Sequence, residues 1–207
     1  MYFQTLDDKG ECVGVYKDGN LYFKEIPSGC NRTWKYAEYL EEDDVDYGSI
    51  FCGNRSLNDA CPAFLIDDWV AVEDKLKAYY RSFVLAKVNM DENCFFDLVP
   101  KPFLLEYCEI RNKITQYVFE NYEKPQNYDF MVDLTKVLAR IRHQKLNIDV
   151  SSLSNQAHLA KFRKAMKKFS QIDPYCRYNI NGTKTGRLTT QKNSFPIMTM
   201  DKDFRSI

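Results

Sequence analysis

The chain has 207 residues, of which 44% are hydrophobic and 28% charged, with a formal net charge of zero at pH 7. This composition is typical of a globular protein with a real core and excludes a disordered tail. The absence of any run of about 18 apolar residues excludes a membrane-spanning helix. The first residues lack the basic start and apolar core of a signal peptide. We therefore expect a cytoplasmic protein that has no membrane partner.

The first predicted elements are strands. Residues 11–16 and 20–26 flank a Lys17-Asp18-Gly19 turn, and an Asp-Gly pair is a strong hairpin signal. The acidic run 41–46 predicts a solvated loop, and residues 50–53 predict another short strand.

Four helices follow, predicted near 68–88, 102–122, 128–145 and 154–171 from apolar residues at helical spacing. The residues that predict a buried stripe in the last three are Leu104, Tyr107, Ile110, Ile114 and Tyr117; Phe130, Leu134, Leu138 and Ile141; and Leu159, Phe162, Met166 and Phe169. On the outer face of the fourth helix we expect Lys161, Lys164 and Lys168. The whole pattern predicts an α+β fold with a small β-containing region at 1–66, a helical region at 67–172 and a final region at 173–207.

Charge is distributed unevenly between the two parts of the chain. Residues 1–135 hold 14 Lys and Arg against 25 Asp and Glu, whereas residues 136–207 hold 15 against 4. A basic C-terminal third favours a polyanionic partner, most simply a nucleic acid. The alternative is that the two parts only complement each other within one fold.

Cysteine and histidine usage argues against a metal centre. The seven cysteines form no Cys-x-x-Cys pair, and their odd number and apolar neighbours predict reduced, partly buried thiols. His143 and His158 are the two histidines, and neither has the spacing of a metal ligand. We therefore expect no metal site and no cofactor in this chain.

The most informative segment is the Thr-Lys-Thr-Gly-Arg-Leu-Thr-Thr run at 183–190. A glycine among hydroxyl side chains, followed by an arginine, suits a sugar–phosphate backbone or a minor groove. Together with Tyr178, the run resembles the segment of family A DNA polymerases that joins the thumb to the palm. That family pattern has a tyrosine, then Thr-x-Thr-Gly-Arg-Leu, then two Ser or Thr residues.

The resemblance covers roughly residues 100–207 and is firm over 178–190. It implies that 67–172 is thumb-like, that 173–207 enters the palm, and that the partner is primer–template DNA. Arg187 would then reach the minor groove at the primer terminus, where correct base pairs present the same acceptors. The implied DNA-binding residues are Thr183, Lys184, Thr185, Gly186, Arg187, Thr189, Thr190, Lys192, Ser194, Lys161, Lys164 and Lys168.

The chain also departs from the family pattern. Where the family has Pro-Asn-x-Gln, this sequence has Asn-Ser-Phe-Pro at 193–196, so Ser194 is a weak substitute and the glutamine has no counterpart. This divergence is similar to that of phage-type members, whose location would be the host cytoplasm.

Polymerases of this family hold Mg²⁺ with aspartates that follow the segment ending at Ile207. Asp201 and Asp203 lack the strand context of those aspartates and are expected to lie in a loop. The sequence thus predicts no catalytic residue here, and the resemblance implies Mg²⁺ only for the complete polymerase. A longer sequence, or a second chain, would carry the rest of the palm and the fingers.

Two other functional classes match parts of the sequence. One is a non-catalytic nucleic-acid-binding protein that has only the thumb-like clamp. The other comes from Lys184-Thr185-Gly186, which matches the Lys-Thr-Gly of serine β-lactamases and penicillin-binding proteins. The Ser-x-x-Lys and Ser-Asp-Asn motifs which that fold needs are absent from the sequence, so this interpretation fails.

Overall fold

The structure is a computed structural model that describes residues 1–7, 14–40, 44–90, 92–179, 183–185, 187–192 and 194–205. For residue 143 it describes only the backbone. About 48% is helix and 11% strand, which confirms the predicted α+β class. The strands are β1 Gln4–Thr5, β2 Gly14–Lys17, β3 Asn20–Phe23, β4 Arg32–Thr33, β5 Asp46–Tyr47, β6 Tyr178–Asn179 and β7 Thr189–Thr190. The helices are α1 Gly48–Phe51, α2 Leu57–Ala60, α3 Ile66–Leu85, α4 Phe95–Leu98, α5 Lys101–Asn121, α6 Tyr128–His143 and α7 Ala160–Phe169. In the part of the chain described, no helix is both long and apolar enough to cross a membrane.

Packing divides the chain into two compact units, Met1–Lys136 (unit 1) and Val137–Ile207 (unit 2). The division falls where the charge changes: unit 1 holds 15 Lys and Arg against 25 Asp and Glu, and unit 2 holds 14 against 4. Among the described residues of the predicted region 1–66, Leu6 and Tyr16 pack in one core with side chains of α3 and α5. By packing, the chain divides inside α6, and the predicted boundaries at 66 and 172 stay predictions.

The β-hairpin at the start of unit 1 forms as predicted. Strands β2 and β3 are antiparallel, with Lys17 opposite Asn20, and Asp18 and Gly19 have φ values of 48° and 79°. Two positive φ values in a two-residue loop match the twist of antiparallel strands. The second strand is shorter than expected and ends at Phe23, and residues 11–13 of the first lie outside the described residues.

The expectation for residues 50–53 is wrong, because they do not form a strand. Helix α1 covers Gly48–Phe51, and Gly53 and Asn54 follow it with φ values of 69° and 58°. A short apolar run does not distinguish a strand from a buried helical turn by its periodicity. The acidic run before it is also only partly a loop, since Asp46 pairs in parallel with Arg32 in the β4–β5 sheet.

The core of unit 1 lies between α3 and α5. Four of the five residues predicted to form the stripe of α5 are buried, from Leu104 to Ile114, and Tyr117 is half-buried. Polar side chains fasten β1 to the same helix: Gln4 Nε2 donates to Thr115 Oγ1 over 3.0 Å, and Arg111 Nη1 donates to Thr5 O over 3.0 Å. These buried bonds hold a two-residue strand that the sequence pattern does not reveal.

Helix α6 is present, but its predicted stripe is wrong at one position. Leu138 is buried, whereas Phe130 is 65% exposed. Tyr128 takes the inward position instead, where its hydroxyl accepts a 2.7 Å hydrogen bond from Tyr47 N. Successive helical residues are about 100° apart, so Phe130 then points to the opposite side.

The described cysteines are buried or half-buried, as the sequence predicts. Cys30, Cys52, Cys61, Cys94, Cys108 and Cys176 form no disulfide bond among the described residues, and Cys12 lies outside those residues. Burial raises the pKa of the Cys108 thiol to about 12, against a smaller opposite effect of Arg111. Because the thiolate is the nucleophile, burial and the raised pKa both lower the reactivity expected of Cys108 in the folded chain.

We expect iodoacetamide at pH 8 to alkylate half-buried Cys94 on the order of tenfold or more faster than Cys108 in the native chain. Peptide mass spectrometry over a time course measures both rates. In denaturant the two rates should become equal. Equal rates in the native chain would contradict the buried position of Cys108.

Candidate nucleic-acid interface

The polymerase-like segment forms a hairpin in unit 2. Strands β6 and β7 are antiparallel, with Tyr178 opposite Thr190 and Asn179 opposite Thr189. Below them, Gln191 N donates to Arg177 O over 2.9 Å. The hairpin therefore has a hydrogen-bonded stem, and residues 180–188 connect its strands.

Thr183 organises the described part of this connection. Its hydroxyl oxygen accepts a 2.9 Å hydrogen bond from Arg187 N, and the hydroxyl donates to Arg187 O over 3.1 Å. Thr185 Oγ1 lies 3.4 Å from Thr183 Oγ1. Threonine hydroxyls commonly replace backbone partners in this way in turns. The first threonine of the motif therefore has a structural role here: it fixes the backbone of Arg187.

The Arg187 side chain is exposed beyond this turn. Among the residues that the structure describes, no carboxylate lies within ion-pair distance of its guanidinium. Arg187 therefore does not neutralise a carboxylate in the described part of the chain. A fixed backbone with an unpaired guanidinium leaves Arg187 available to an external acceptor.

The other motif residues differ in exposure. Lys184, Thr185 and Lys192 are exposed, and Thr183, Thr189 and Thr190 are half-buried. Gly186 lies outside the described residues, as does Asn193.

Ser194 is directed inward instead of toward a template. It is only 8% exposed, and its hydroxyl accepts a 2.9 Å hydrogen bond from Arg177 N. The same hydroxyl donates to Cys176 Sγ over 3.8 Å. Cys176 also forms a hydrogen bond with Tyr178, which raises the pKa of that tyrosine to about 12. Ser194 therefore closes the stem of the hairpin, and its hydroxyl is not available to a ligand.

Helix α7 is shorter than predicted. It begins at Ala160, because residues Val150–Gln156 form a 3-10 helix that Asp149 caps by accepting from Ser151 N over 3.0 Å. The inward position predicted for Leu159 is consequently wrong: Leu159 precedes the helix and is 47% exposed. Phe162 and Phe169 are buried as predicted, and Met166 is half-buried.

The basic face of α7 consists of Lys161, Lys164 and Lys168, which are all exposed. Positions i, i+3 and i+7 share one side of a helix, and these three span about 10 Å along its axis. Lys164 and Lys168 form no ion pair with any residue that the structure describes. Their ammonium groups are therefore free for an anionic partner.

Lys161 differs from its neighbours because it is already paired. Its Nζ lies 2.7 Å from Asp203 Oδ2 and 3.0 Å from Asp201 Oδ2, and 5.2 Å from the centroid of the Phe204 ring. The hydrogen bonds to Asp203 and Asp201 raise the pKa of Lys161, and the bond from Lys161 lowers the pKa of Asp201. We refer to Lys161, Asp201 and Asp203 as the Lys161 cluster.

Sequence reasoning did not find this cluster. It placed Asp201 and Asp203 in a loop, whereas Lys202–Phe204 form a 3-10 helix that Asp201 caps by accepting from Asp203 N over 3.2 Å. The composition contains a hint of this cluster, because Asp201 and Asp203 are two of only four acidic residues in a unit with 14 Lys and Arg.

The hairpin and α7 belong to one hydrophobic core. Phe195, at the base of the hairpin stem, packs against Phe169 in the last turn of α7 with ring centroids 5.5 Å apart. Phe195 N also donates to Tyr175 O over 2.9 Å, which extends the stem. Phe204 packs edge-on against Phe162 with a centroid distance of 5.2 Å. The core of unit 2 thus carries both groups of basic residues.

The Mg²⁺ that the family resemblance implies does not fit the described residues. Asp201 and Asp203, the carboxylates nearest to the end of the chain, both point at an ammonium group. Within the described ranges, no three Asp, Glu, His or Cys side chains are grouped so that they could hold a metal ion. Comparison of the chain with known protein families, curated proteins and solved structures gives no match.

Proposed function

We propose that unit 2 binds the backbone and minor groove of primer–template DNA, as part of a DNA-directed DNA polymerase whose catalytic aspartates lie outside this sequence. One observation carries the proposal above all others. Arg187 of the Thr-Lys-Thr-Gly-Arg-Leu segment has its backbone fixed by Thr183, and its exposed guanidinium has no anionic partner among the described residues.

The charge of unit 2 supports a polyanionic partner. Its excess of ten positive charges is accompanied by unpaired lysines on α7. Proteins that bind DNA without reading its sequence rely on such contacts to phosphates, which displace condensed counterions. Lys164 and Lys168 would contact phosphates along one strand, and exposed Lys184 and Lys192 would add contacts near the hairpin.

The hairpin supplies the part of the proposal that concerns recognition. All correct base pairs present equivalent acceptors in the minor groove, so an arginine there tests the shape of a pair and not its identity. The guanidinium of Arg187 has the donors for this, since it carries five N–H groups in a planar fork.

The test replaces Arg187 by alanine, with lysine at the same position as the matched control. We expect Arg187→Ala to weaken binding to a fluorescein-labelled primer–template junction by about 1–2 kcal/mol, roughly tenfold, and binding to a blunt duplex less. Arg187→Lys keeps the charge but loses the planar fork, so it should recover blunt-duplex binding and not junction binding. Fluorescence anisotropy at fixed salt measures the affinity of each variant for the junction and for the blunt duplex. Unchanged junction binding by Arg187→Ala would remove the basis of the proposal.

The alternative is a non-catalytic nucleic-acid-binding protein with the same basic surface. It predicts equal affinity for a junction and a blunt duplex of the same length, because only phosphate contacts contribute. A preference for the junction that depends on Arg187 therefore favours the polymerase portion. Under either alternative, we expect no nucleotide incorporation by this chain alone with Mg²⁺.

A further inference from the structure

The Lys161 cluster has an arrangement that bears on how unit 2 would bind an anion. Lys161 points to the same side of α7 as Lys164 and Lys168, but two carboxylate oxygens lie 2.7 and 3.0 Å from its ammonium group. They approach it much as the oxygens of a phosphate would. The basic face of α7 therefore has one end already occupied by anions from the same unit.

The cluster is held together by more than the two ion pairs. Asp201 caps the 3-10 helix Lys202–Phe204, and the Phe204 ring is buried against Phe162 while Lys161 lies over it. Arg205 Nε donates to Met200 O over 3.3 Å, which holds the residues on either side of the 3-10 helix. Because Phe204 between them is held in the core, the backbone of this segment keeps both exposed carboxylates within reach of Lys161.

We propose that Asp201 and Asp203 withhold Lys161 from nucleic acid, as an internal substitute for phosphate that limits how tightly the basic face of α7 binds. This inference depends on the proposed function, because it assumes that Lys164 and Lys168 bind a DNA backbone. Two carboxylates already accept from the Lys161 ammonium group, and Lys202 offsets only part of their charge, so a phosphate gains little by approaching Lys161. Unit 2 then binds DNA less tightly, and with a weaker salt dependence, than its exposed lysines would allow.

The experiment is a double-mutant cycle on the full chain. It measures the affinity for a fluorescein-labelled primer–template duplex from about 50 to 200 mM salt, since each phosphate contact adds about 0.9 to the slope of log affinity against log salt. The arms are the parent chain, Lys161→Met, the pair Asp201→Asn with Asp203→Asn, and all three changes together. Asparagine at 201 still caps a helix, and methionine at 161 keeps an apolar stem next to Phe204.

We expect Lys161→Met alone to leave the slope unchanged. The Asp201→Asn and Asp203→Asn pair should raise the affinity for DNA roughly threefold to tenfold at about 0.1 M salt. It should also make the slope of log affinity against log salt steeper by about 0.9, the contribution of one phosphate contact. Adding Lys161→Met to that pair should cancel the extra slope. The matched control is Asp149→Asn with Asp173→Asn, which removes from unit 2 two charges that form no ion pair with Lys161 and should not change the slope.

Two results would overturn the inference. One is a salt slope that becomes shallower by the contribution of about one phosphate contact in Lys161→Met alone. That result would mean that Lys161 already contacts a phosphate. The other is an equal effect of the two aspartate pairs, which would reduce the cluster to a general charge effect. If the proposed function itself were wrong, the affinity for DNA would not depend on Lys164, Lys168 or Arg187 in the parent chain or in any of these variants.

Discussion

Replacing Lys164 and Lys168 together by methionine is expected to weaken binding of the chain to duplex DNA roughly tenfold to a hundredfold at about 0.1 M salt. Both ammonium groups are exposed and unpaired among the described residues, so each can neutralise one phosphate. The slope of log affinity against log salt should become shallower by the amount that about two phosphate contacts contribute. The loss should be the same for every DNA sequence, because phosphates carry no sequence information.

The matched control for this pair lies in unit 1. Lys77→Met with Lys113→Met also removes two positive charges, but these lysines are paired with Glu73 and Glu109 on α3 and α5. We expect this control to change affinity less than about twofold and to leave the slope unchanged. If both pairs of substitutions had the same effect, the binding would follow total charge and α7 would have no specific part in it.

Phe195→Ala is expected to destabilise unit 2 by about 3–5 kcal/mol. The ring is 2% exposed and lies 5.5 Å from that of Phe169, so its removal leaves a cavity between the hairpin stem and α7. For a unit of this size, such a loss corresponds to a fall in Tm of about 15 °C or more. Thermal unfolding followed by far-ultraviolet circular dichroism measures the change.

The control for Phe195→Ala is the same substitution at an exposed phenylalanine. Phe130 is 65% exposed, and its replacement by alanine should change the free energy of unfolding by no more than about 0.5 kcal/mol. A small effect at both positions would show that Phe195 is not part of a packed core.

Local patterns predicted the elements that depend on local physics. The Asp18-Gly19 turn forms because the loop needs two positive φ values, and these two residue types tolerate them best. The long helices α3 and α5 lie within two or three residues of their predicted bounds, since their apolar spacing is sustained over about twenty residues.

The predictions that were wrong concern residues whose state depends on contacts outside their own periodic pattern. The β4–β5 pair is parallel and joins Arg32 to Asp46, which no turn signal between them reveals. Phe130 is exposed because Tyr128 has the contact with Tyr47, and periodicity cannot choose between two aromatic residues so close together. The start of α7 depends on the 3-10 helix that precedes it.

Composition and residue order alone predict the α+β class, the uneven charge and the Thr-Lys-Thr-Gly-Arg-Leu segment with its resemblance to a polymerase. These properties follow from composition and local order, which folding does not change. Which of the α7 lysines form ion pairs within the described residues depends on long-range packing. Lys161, Lys164 and Lys168 are equivalent in the helical pattern, but Asp203, 42 positions further along the chain, pairs with Lys161 alone. The packing of Phe204 on α7 brings that carboxylate there, and no local pattern contains this long-range contact.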